Sequence, residues 1–172
     1  MSENRVVEDA MSEADCENFR IIELLFFAYR SFVGDADEVL ARFGFGRAHH
    51  RVLHFVNRLP GLTVAELLDI LKITKQSLSR VLRELVETGH ISQVQGNADR
   101  RQRLLYPTEK GRKLALDLSQ LQSRRINAAF RLQGDMQRQS VEEFLRLMID
   151  ADERSFTDHL EAIPDRDALE RA

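Results

Sequence analysis

Two short amphipathic helices joined by a three-residue turn constrain this chain more than any other feature of its sequence. Thr63 is predicted to cap a helix over residues 64–70, and Thr74 a second helix over residues 75–88. Each helix has apolar residues three and four apart on one face, and Gly89 stands where helices commonly end. The outer face of the second helix is polar and basic. This arrangement predicts a helix-turn-helix unit, whose second helix fits the major groove of duplex DNA.

A β-hairpin is predicted directly after these two helices. Residues 91–95 and 101–106 have the composition of strands, and the turn-prone residues 96–99 lie between them. A hairpin in this position would form the wing of a winged helix-turn-helix domain.

A long helix over residues 18–42 is predicted ahead of the helix-turn-helix unit, and residues 47–59 fit a further helix that Pro60 and Gly61 end. Gly34 and Asp35 could interrupt the long helix. One face carries Phe19, Ile22, Phe26, Tyr29 and Val33, and a second face carries Ile21, Leu24, Leu25, Phe27, Ala28 and Phe32. Since a helix apolar on two sides needs two covering surfaces, we expect a second subunit on one of them. The alternative is a monomer whose own terminal helices cover both faces.

The C-terminal part is also predicted to be helical. A long helix begins at Glu109, and Gly134 with Asp135 breaks it. Ser140 and Glu143 have capping-box spacing, and apolar residues then recur as far as Phe156 and Leu160.

The predicted fold class is therefore mainly α with a small β-hairpin wing. The predicted divisions are an acidic tail over residues 1–17, an N-terminal dimerisation helix over 18–46, a winged helix-turn-helix domain over 47–107, C-terminal dimerisation helices over 108–162, and a tail over 163–172.

The charge distribution favours a nucleic-acid partner more than the net charge does. The whole chain has a net charge of −3, but residues 72–103 hold seven Lys or Arg and three acidic residues. That segment carries +4, so the remainder carries −7. A basic segment on an acidic chain directs one surface toward polyanions.

The predicted DNA contacts lie on the second helix and on the wing. Gln76 could read adenine, Lys75 and Arg80 could read guanine, and the hydroxyls of Thr74 and Ser77 could bind phosphate. Asp99 is interpreted as orienting a wing arginine, the alternative being a simple turn residue. The full predicted set is Thr74, Lys75, Gln76, Ser77, Ser79, Arg80, Arg83, Asp99, Arg100, Arg101 and Arg103.

The order of several short motifs resembles the MarR family of transcription regulators. These motifs are ITKQSLSR at residues 73–80, LVETGHI at 85–91, DRR at 99–101 and TEKGR at 108–112. The resemblance covers residues 19–160, and within the family it is greatest to a subgroup named PetP. It implies a homodimeric repressor that binds a pseudo-palindromic site in double-stranded DNA, with the possibility of a small-molecule effector. The implied dimer contacts are Phe19, Ile22, Phe26, Tyr29, Phe144, Met148 and Phe156.

Enzymatic, metal-binding and cofactor-binding functions are not expected. The sequence has no glycine-rich phosphate loop, no nucleophile elbow and no metalloprotease motif. His50 and His54 are four residues apart, but no cysteine or carboxylate cluster completes a metal site around them.

Composition favours a cytoplasmic protein outside the membrane. The longest apolar run, residues 21–29, is too short to cross a bilayer, and the acidic N-terminus does not resemble a signal peptide. Cys16, the single cysteine, is interpreted as a non-essential thiol. A redox-responsive regulator that uses Cys16 and a winged-helix module that binds another protein are the alternatives.

Overall fold

The computed structural model describes residues 16–96, 102–133 and 136–162 as a mainly helical chain with one small sheet. Its elements are α1 Phe19–Ala41, α2 Arg47–Arg58, β1 Leu62–Thr63, α3 Val64–Leu71, α4 Lys75–Glu87, β2 Ile91–Gln95, β3 Arg103–Pro107, α5 Glu109–Gln133, α6 Met136–Met148 and α7 Ala151–Ala162. The predicted fold class is confirmed. Residues 1–15 of the predicted acidic tail over 1–17, and the whole predicted tail over 163–172, lie outside the described residues.

Side-chain caps begin both helices of the helix-turn-helix unit, as predicted. Thr63 Oγ1 accepts a hydrogen bond from the Glu66 backbone N–H at 3.2 Å, and the Glu66 carboxylate accepts one from the Thr63 N–H at 2.7 Å. The Thr63 hydroxyl also donates to that carboxylate at 2.7 Å. The two donors of Thr63, its backbone N–H and its hydroxyl, favour the ionised carboxylate and hold the pKa of Glu66 below its usual range. Thr74 Oγ1 accepts from the Ser77 N–H at 3.2 Å at the start of α4. Each cap fixes where its helix begins.

The turn between α3 and α4 passes through a left-handed residue. Lys72 has φ 49° and ψ 42°, and its N–H donates to the Leu68 carbonyl at 2.9 Å, which ends α3. Gly89, with φ 72°, ends α4 in the same region of backbone conformation. The Lys72 side chain has a Cβ that makes this conformation less favourable than it would be for glycine.

The sheet has three strands where two were predicted. Its antiparallel order is β1-β3-β2, with Leu62 opposite Leu105 in one pair and Gln95 opposite Arg103 in the other. The predicted hairpin is present as β2 and β3. The sequence missed β1 because that strand contains only two residues, which is too few to show strand alternation. Its pairing depends on a strand more than 40 residues away.

One hydrophobic core joins the winged unit to the long helices. Leu40 of α1, Leu53 of α2, Leu67 of α3 and Leu85 of α4 are fully buried in it, together with Leu118 of α5. Because α1 and α5 enter this core, the winged unit does not form a separate body.

Two details of the predicted helices were wrong. Helix α1 runs through Gly34 without a break, since its following residues are anchored in the core by Ala36 and Leu40. The apolar face predicted for the second helix of the helix-turn-helix unit comprises Leu78, Val81, Leu82, Leu85 and Val86, and all five were expected to be buried. Val86 is instead 37% exposed, because it lies at the edge of the stripe that Leu82 and Leu85 bury.

The C-terminal helices also differ from the prediction. Helix α6 begins at Met136, so Ser140 lies inside the helix and does not cap it. The apolar pattern that suggested one helix as far as Leu160 is divided between α6 and α7 at residues 149–150. The predicted break at Gly134 and Asp135 lies outside the described residues.

A close junction fixes the start of α5 against the end of α4. Thr108 Oγ1 donates to the Gly89 carbonyl at 2.7 Å, and Lys110 Nζ donates to the Thr88 carbonyl at 2.8 Å. A Cβ atom on Gly111 would lie 1.9 Å from the His90 carbonyl oxygen, so only glycine fits there without a shift of the backbone. This contact ties the start of α5 to the C-terminal end of α4.

Candidate nucleic-acid interface

The outer face of α4 presents polar and basic side chains to solvent. Its inner face is anchored by buried Leu78, Val81, Leu82 and Leu85. In the part of the chain that the structure describes, the exposed side chains on the outer face make no hydrogen bond, ion pair or ring contact. These side chains are Lys75, Gln76, Ser79, Arg80 and Arg83. Their donors are therefore available to a ligand.

The two hydroxyls at the start of α4 are bonded to each other. Thr74 Oγ1 donates to Ser77 Oγ at 2.9 Å and accepts from the Ser77 N–H. Thr74 therefore uses its hydroxyl proton within the cap. Ser77 accepts that bond and keeps its own proton, so Ser77 is the better placed of the two to donate to a phosphate oxygen.

The wing follows α4 closely in the chain and contains one of the predicted arginines within its strands. Arg103 is exposed on β3 opposite Gln95, and beyond that pair the Gly96 N–H donates to the Gln102 carbonyl at 3.1 Å. The remaining predicted wing residues, Asp99, Arg100 and Arg101, lie outside the described residues.

Lys72 is a candidate contact that sequence reasoning missed. It was counted only as one charge of the basic segment, whereas the structure places it exposed in the left-handed turn before α4. Its ammonium group makes no hydrogen bond or ion pair with any described residue. The available signal was a lysine in a turn position that glycine usually occupies.

A separate apolar surface lies on the terminal helices. Five of the seven predicted dimer contacts are exposed large side chains, namely Ile22, Phe26, Tyr29, Phe144 and Met148. Phe19 and Phe156 are half-buried, and the Phe156 ring lies 6.1 Å from the ring of Phe55 within the same chain. Val33, which shares the periodic stripe of Phe26, is buried in the chain's own core. The Phe156 ring therefore packs against a residue of its own chain.

The histidines of α2 are enclosed by protein. Burial lowers the pKa of His50, although the nearby Asp37 carboxylate opposes the shift. Burial also lowers the pKa of His54, and the positive charges of His50 and Arg58 add to that effect. Within residues 16–96, 102–133 and 136–162, no group of three or more His, Cys, Asp or Glu side chains could hold a metal ion.

Two further features bear on the predicted cellular context. Cys16 is a half-buried free thiol just before α1, and its predicted lack of a redox role stays a prediction. No helix in the described segments combines the length and the apolar character that crossing a membrane requires.

Comparison with known sequences identifies the family. A model described as the MarR family matches residues 43–102, which run from just before α2 into the wing. The HTH-type transcriptional regulator PetP of Rhodobacter capsulatus is 46% identical over 129 residues, which cover 75% of this chain and 78% of that protein. The chain belongs to the MarR family.

Solved structures show that the MarR fold extends beyond the region that the family model matches. A MarR transcriptional regulator from Methanosarcina mazei Go1 aligns with a TM-score of 0.64 and 24% identity, covering 86% of this chain and 99% of that one. A MarR protein from Peptoclostridium difficile aligns with a TM-score of 0.65 and 18% identity, covering 95% and 100%. The predicted MarR fold is confirmed, including helices on both sides of the winged unit.

Proposed function

We propose that this MarR-family chain represses transcription in the cytoplasm by binding a pseudo-palindromic DNA site as a homodimer. The observation that carries the proposal is the exposed polar and basic face of α4, whose side chains have no partner among the described residues, beside a wing that carries Arg103. Membership of a family of transcription regulators supports a binding function and argues against an enzyme.

The geometry of α4 suits the major groove. Its 13 residues make a rod about 20 Å long, and the groove admits one helix. Gln76 and Arg80, one turn apart, are assigned to base edges because they carry the side chains that match adenine and guanine. Lys72 and Arg103 flank α4 in the chain and are assigned to phosphates, which position the protein without reading sequence.

The apolar surface of the terminal helices supports the homodimer. Phe26 and Tyr29 on α1 are more than half exposed, as is Met148 on α6, and monomeric proteins rarely expose large contiguous apolar patches. A second copy brings an identical surface, and a twofold axis would duplicate α4. Two such helices read half-sites about one DNA turn apart, which is why a pseudo-palindromic site is proposed.

Ligand control would act through the same geometry. An effector that binds one spacing of the two α4 helices more tightly than another shifts the population toward that spacing and changes DNA affinity. The close junction between α4 and α5 provides a route from the terminal helices to the DNA-binding face.

Selection of bound fragments from the source genome, followed by binding titrations, tests the proposal. Wild-type protein should bind selected duplexes more tightly than scrambled duplexes of equal length. Arg80→Ala should lose about 1–3 kcal/mol of discrimination at particular base pairs, whereas Arg103→Ala should weaken binding to both duplexes equally. Lys113→Gln is the matched control, since Lys113 lies on α5 and pairs with Asp117 at 2.9 Å. Equal affinity of the wild type for every duplex would contradict sequence-specific regulation.

A further inference from the structure

A buried histidine at the start of α2 uses both ring nitrogens to connect two elements. His49 Nδ1 accepts a hydrogen bond from the Gly46 backbone N–H at 3.1 Å, which caps α2. His49 Nε2 lies 2.7 Å from Glu84 Oε2 on α4. Because the Gly46 amide is a donor, Nδ1 must be the acceptor, so Nε2 carries the proton and donates it to the Glu84 carboxylate.

The plane of the His49 ring is fixed by a neighbouring aromatic ring. Phe45 stacks on His49 with ring centroids 4.7 Å apart and an interplanar angle of 10°. Phe45 itself is buried, and its ring contacts the edge of His90 at 5.1 Å. His90 Nδ1 lies 2.9 Å from the hydroxyl of Thr88, at the C-terminal end of α4. The donor of His49 therefore has one direction available to it.

Glu84 continues the row of α4 side chains that is assigned to base reading. Gln76, Arg80 and Glu84 are spaced four residues apart, so they follow one another along the same side of the helix. The bond from His49 attaches the C-terminal end of this row to α2. Helix α2 shares the hydrophobic core with α1 and α5, so the row is held relative to the long helices.

The rotation of α4 about its own axis is fixed more strictly by a directional hydrogen bond than by an apolar core. Burial of leucine and valine is non-directional, whereas a hydrogen bond weakens steeply when its angle changes. Side chains extend about 5–6 Å from a helix axis, so a rotation of about 10° moves them by about 1 Å. A displacement of that size is enough to break a bidentate contact with a base.

We infer that His49 is a positioning residue, which sets the rotation of α4 through Glu84 and thereby selects the base pairs that Gln76 and Arg80 contact. The inference rests on the proposed DNA-binding function and adds a residue that touches no DNA itself. It assigns the carboxylate of Glu84 a role that its charge alone would not suggest, because an acidic group beside DNA phosphates opposes binding.

Two substitutions remove the bond from opposite ends. His49→Phe keeps a ring to stack on Phe45 and removes both hydrogen bonds, and Glu84→Ala removes the acceptor from a side chain that is 41% exposed. Each should lower the ratio of affinities for selected and scrambled duplexes by about tenfold, the equivalent of one charge-assisted hydrogen bond. Affinity for the scrambled duplex should fall no more than about twofold after Glu84→Ala or His49→Phe, because phosphate contacts dominate non-specific binding.

Conservative variants and a double variant distinguish a role of His49 in positioning α4 from a role in protein stability. His49→Gln retains a donor toward Glu84, and Glu84→Gln retains an acceptor, so both should keep most of the discrimination. The double variant that combines His49→Phe with Glu84→Ala should discriminate no worse than either single variant, since both substitutions remove the same bond.

Lower melting temperatures with an unchanged affinity ratio, or losses that simply add in the double variant, would overturn the inference. If His49→Phe does not fold, Glu84→Ala alone decides, because the exposed glutamate can be truncated without opening the core. A wild-type protein that binds no duplex would instead refute the proposed function, so the two failures are distinguishable.

Discussion

The two halves of α1 have the same apolar periodicity but different surroundings. In the C-terminal half, Val33, Ala36 and Leu40 are buried by the chain itself, and Ala36 and Leu40 belong to its hydrophobic core. In the N-terminal half, Leu24 is 59% exposed and Phe26 is 70% exposed. We call the C-terminal half of α1 closed, because the chain's own core covers it. We call the N-terminal half open, because its apolar side chains are exposed.

This difference shows what periodicity can and cannot reveal. Spacing of three and four residues indicates that a helix face is covered, whether by the same chain or by another. Only the structure separates the residues that this chain covers from those that it leaves exposed. We therefore expect changes in the closed half to affect folding at any protein concentration, and changes in the open half to depend on concentration.

The largest effect is expected from Leu40→Ala in the closed half. Leu40 is fully buried, so its truncation leaves a cavity and should lower the free energy of unfolding by about 2–5 kcal/mol. Urea titration monitored by circular dichroism at two protein concentrations measures the loss. The matched control is Leu24→Ala, the same substitution on the same helix. An equal loss of unfolding free energy in both variants at low protein concentration would refute the division of α1 into two regions.

Phe26→Ser should have the next largest effect, on association. If a second copy covers Phe26, serine should raise the dissociation constant of the dimer by at least about tenfold while each chain keeps its helical content. Sedimentation velocity over a range of concentrations follows the equilibrium. A variant with the association behaviour of the wild type would show that the exposed half of α1 lies outside the interface.

The winged unit, which shares its core with the closed half of α1, was largely predictable from sequence because the signals that define its helices are local. Thr63, Thr74 and Gly89 mark helix ends within a few residues of themselves, and the stripe of α4 is visible over 13 residues. The DNA contacts predicted on α4 followed from the same periodicity. Features that depend only on the residues within one helix, such as its ends and its buried face, could therefore be predicted.

The missed features depend on residues far apart in the chain. Strand β1 exists because Leu62 and Thr63 pair with β3, and the His49–Glu84 bond joins residues 35 positions apart. One error was local in origin. Ser140 and Glu143 have the spacing of a capping box, but both lie inside α6, which begins at Met136. The spacing of apolar residues also cannot show whether the same chain or a second copy packs against Phe26.

A change of pH should affect the free energy of unfolding through histidines that are buried in and around the core. Burial lowers the pKa of His50, His54 and His90, and Lys110 adds to the shift of His90. Each is therefore neutral in the fold at a pH where the unfolded chain, with its ordinary pKa near 6.5, begins to bind protons. Stability should be complete above that pH and should decline as the pH falls below it toward the lowered folded pKa values.

Unfolding titrations between pH 8 and pH 5 measure this decline. His54→Gln should reduce the slope of unfolding free energy against pH, because one of the three groups no longer titrates. Stability that rises on acidification across this range would contradict the lowered pKa values.

The smallest expected effect is that of Lys72→Gly, which should affect DNA binding without harming the fold. Glycine accepts the left-handed turn without a Cβ penalty, so the free energy of unfolding should stay constant or rise by about 1 kcal/mol. Loss of one phosphate contact should reduce the slope of log affinity against log salt by about one. Fluorescence anisotropy at several salt concentrations measures the slope. An unchanged slope would remove Lys72 from the interface.

The number of chains on one selected duplex tests the central claim most directly, since the claim joins the open half of α1 to DNA recognition. Native mass spectrometry of the wild-type complex should give two chains per duplex, and Phe26→Ser should reduce the abundance of that species. A specific complex that contains a single chain would contradict the account.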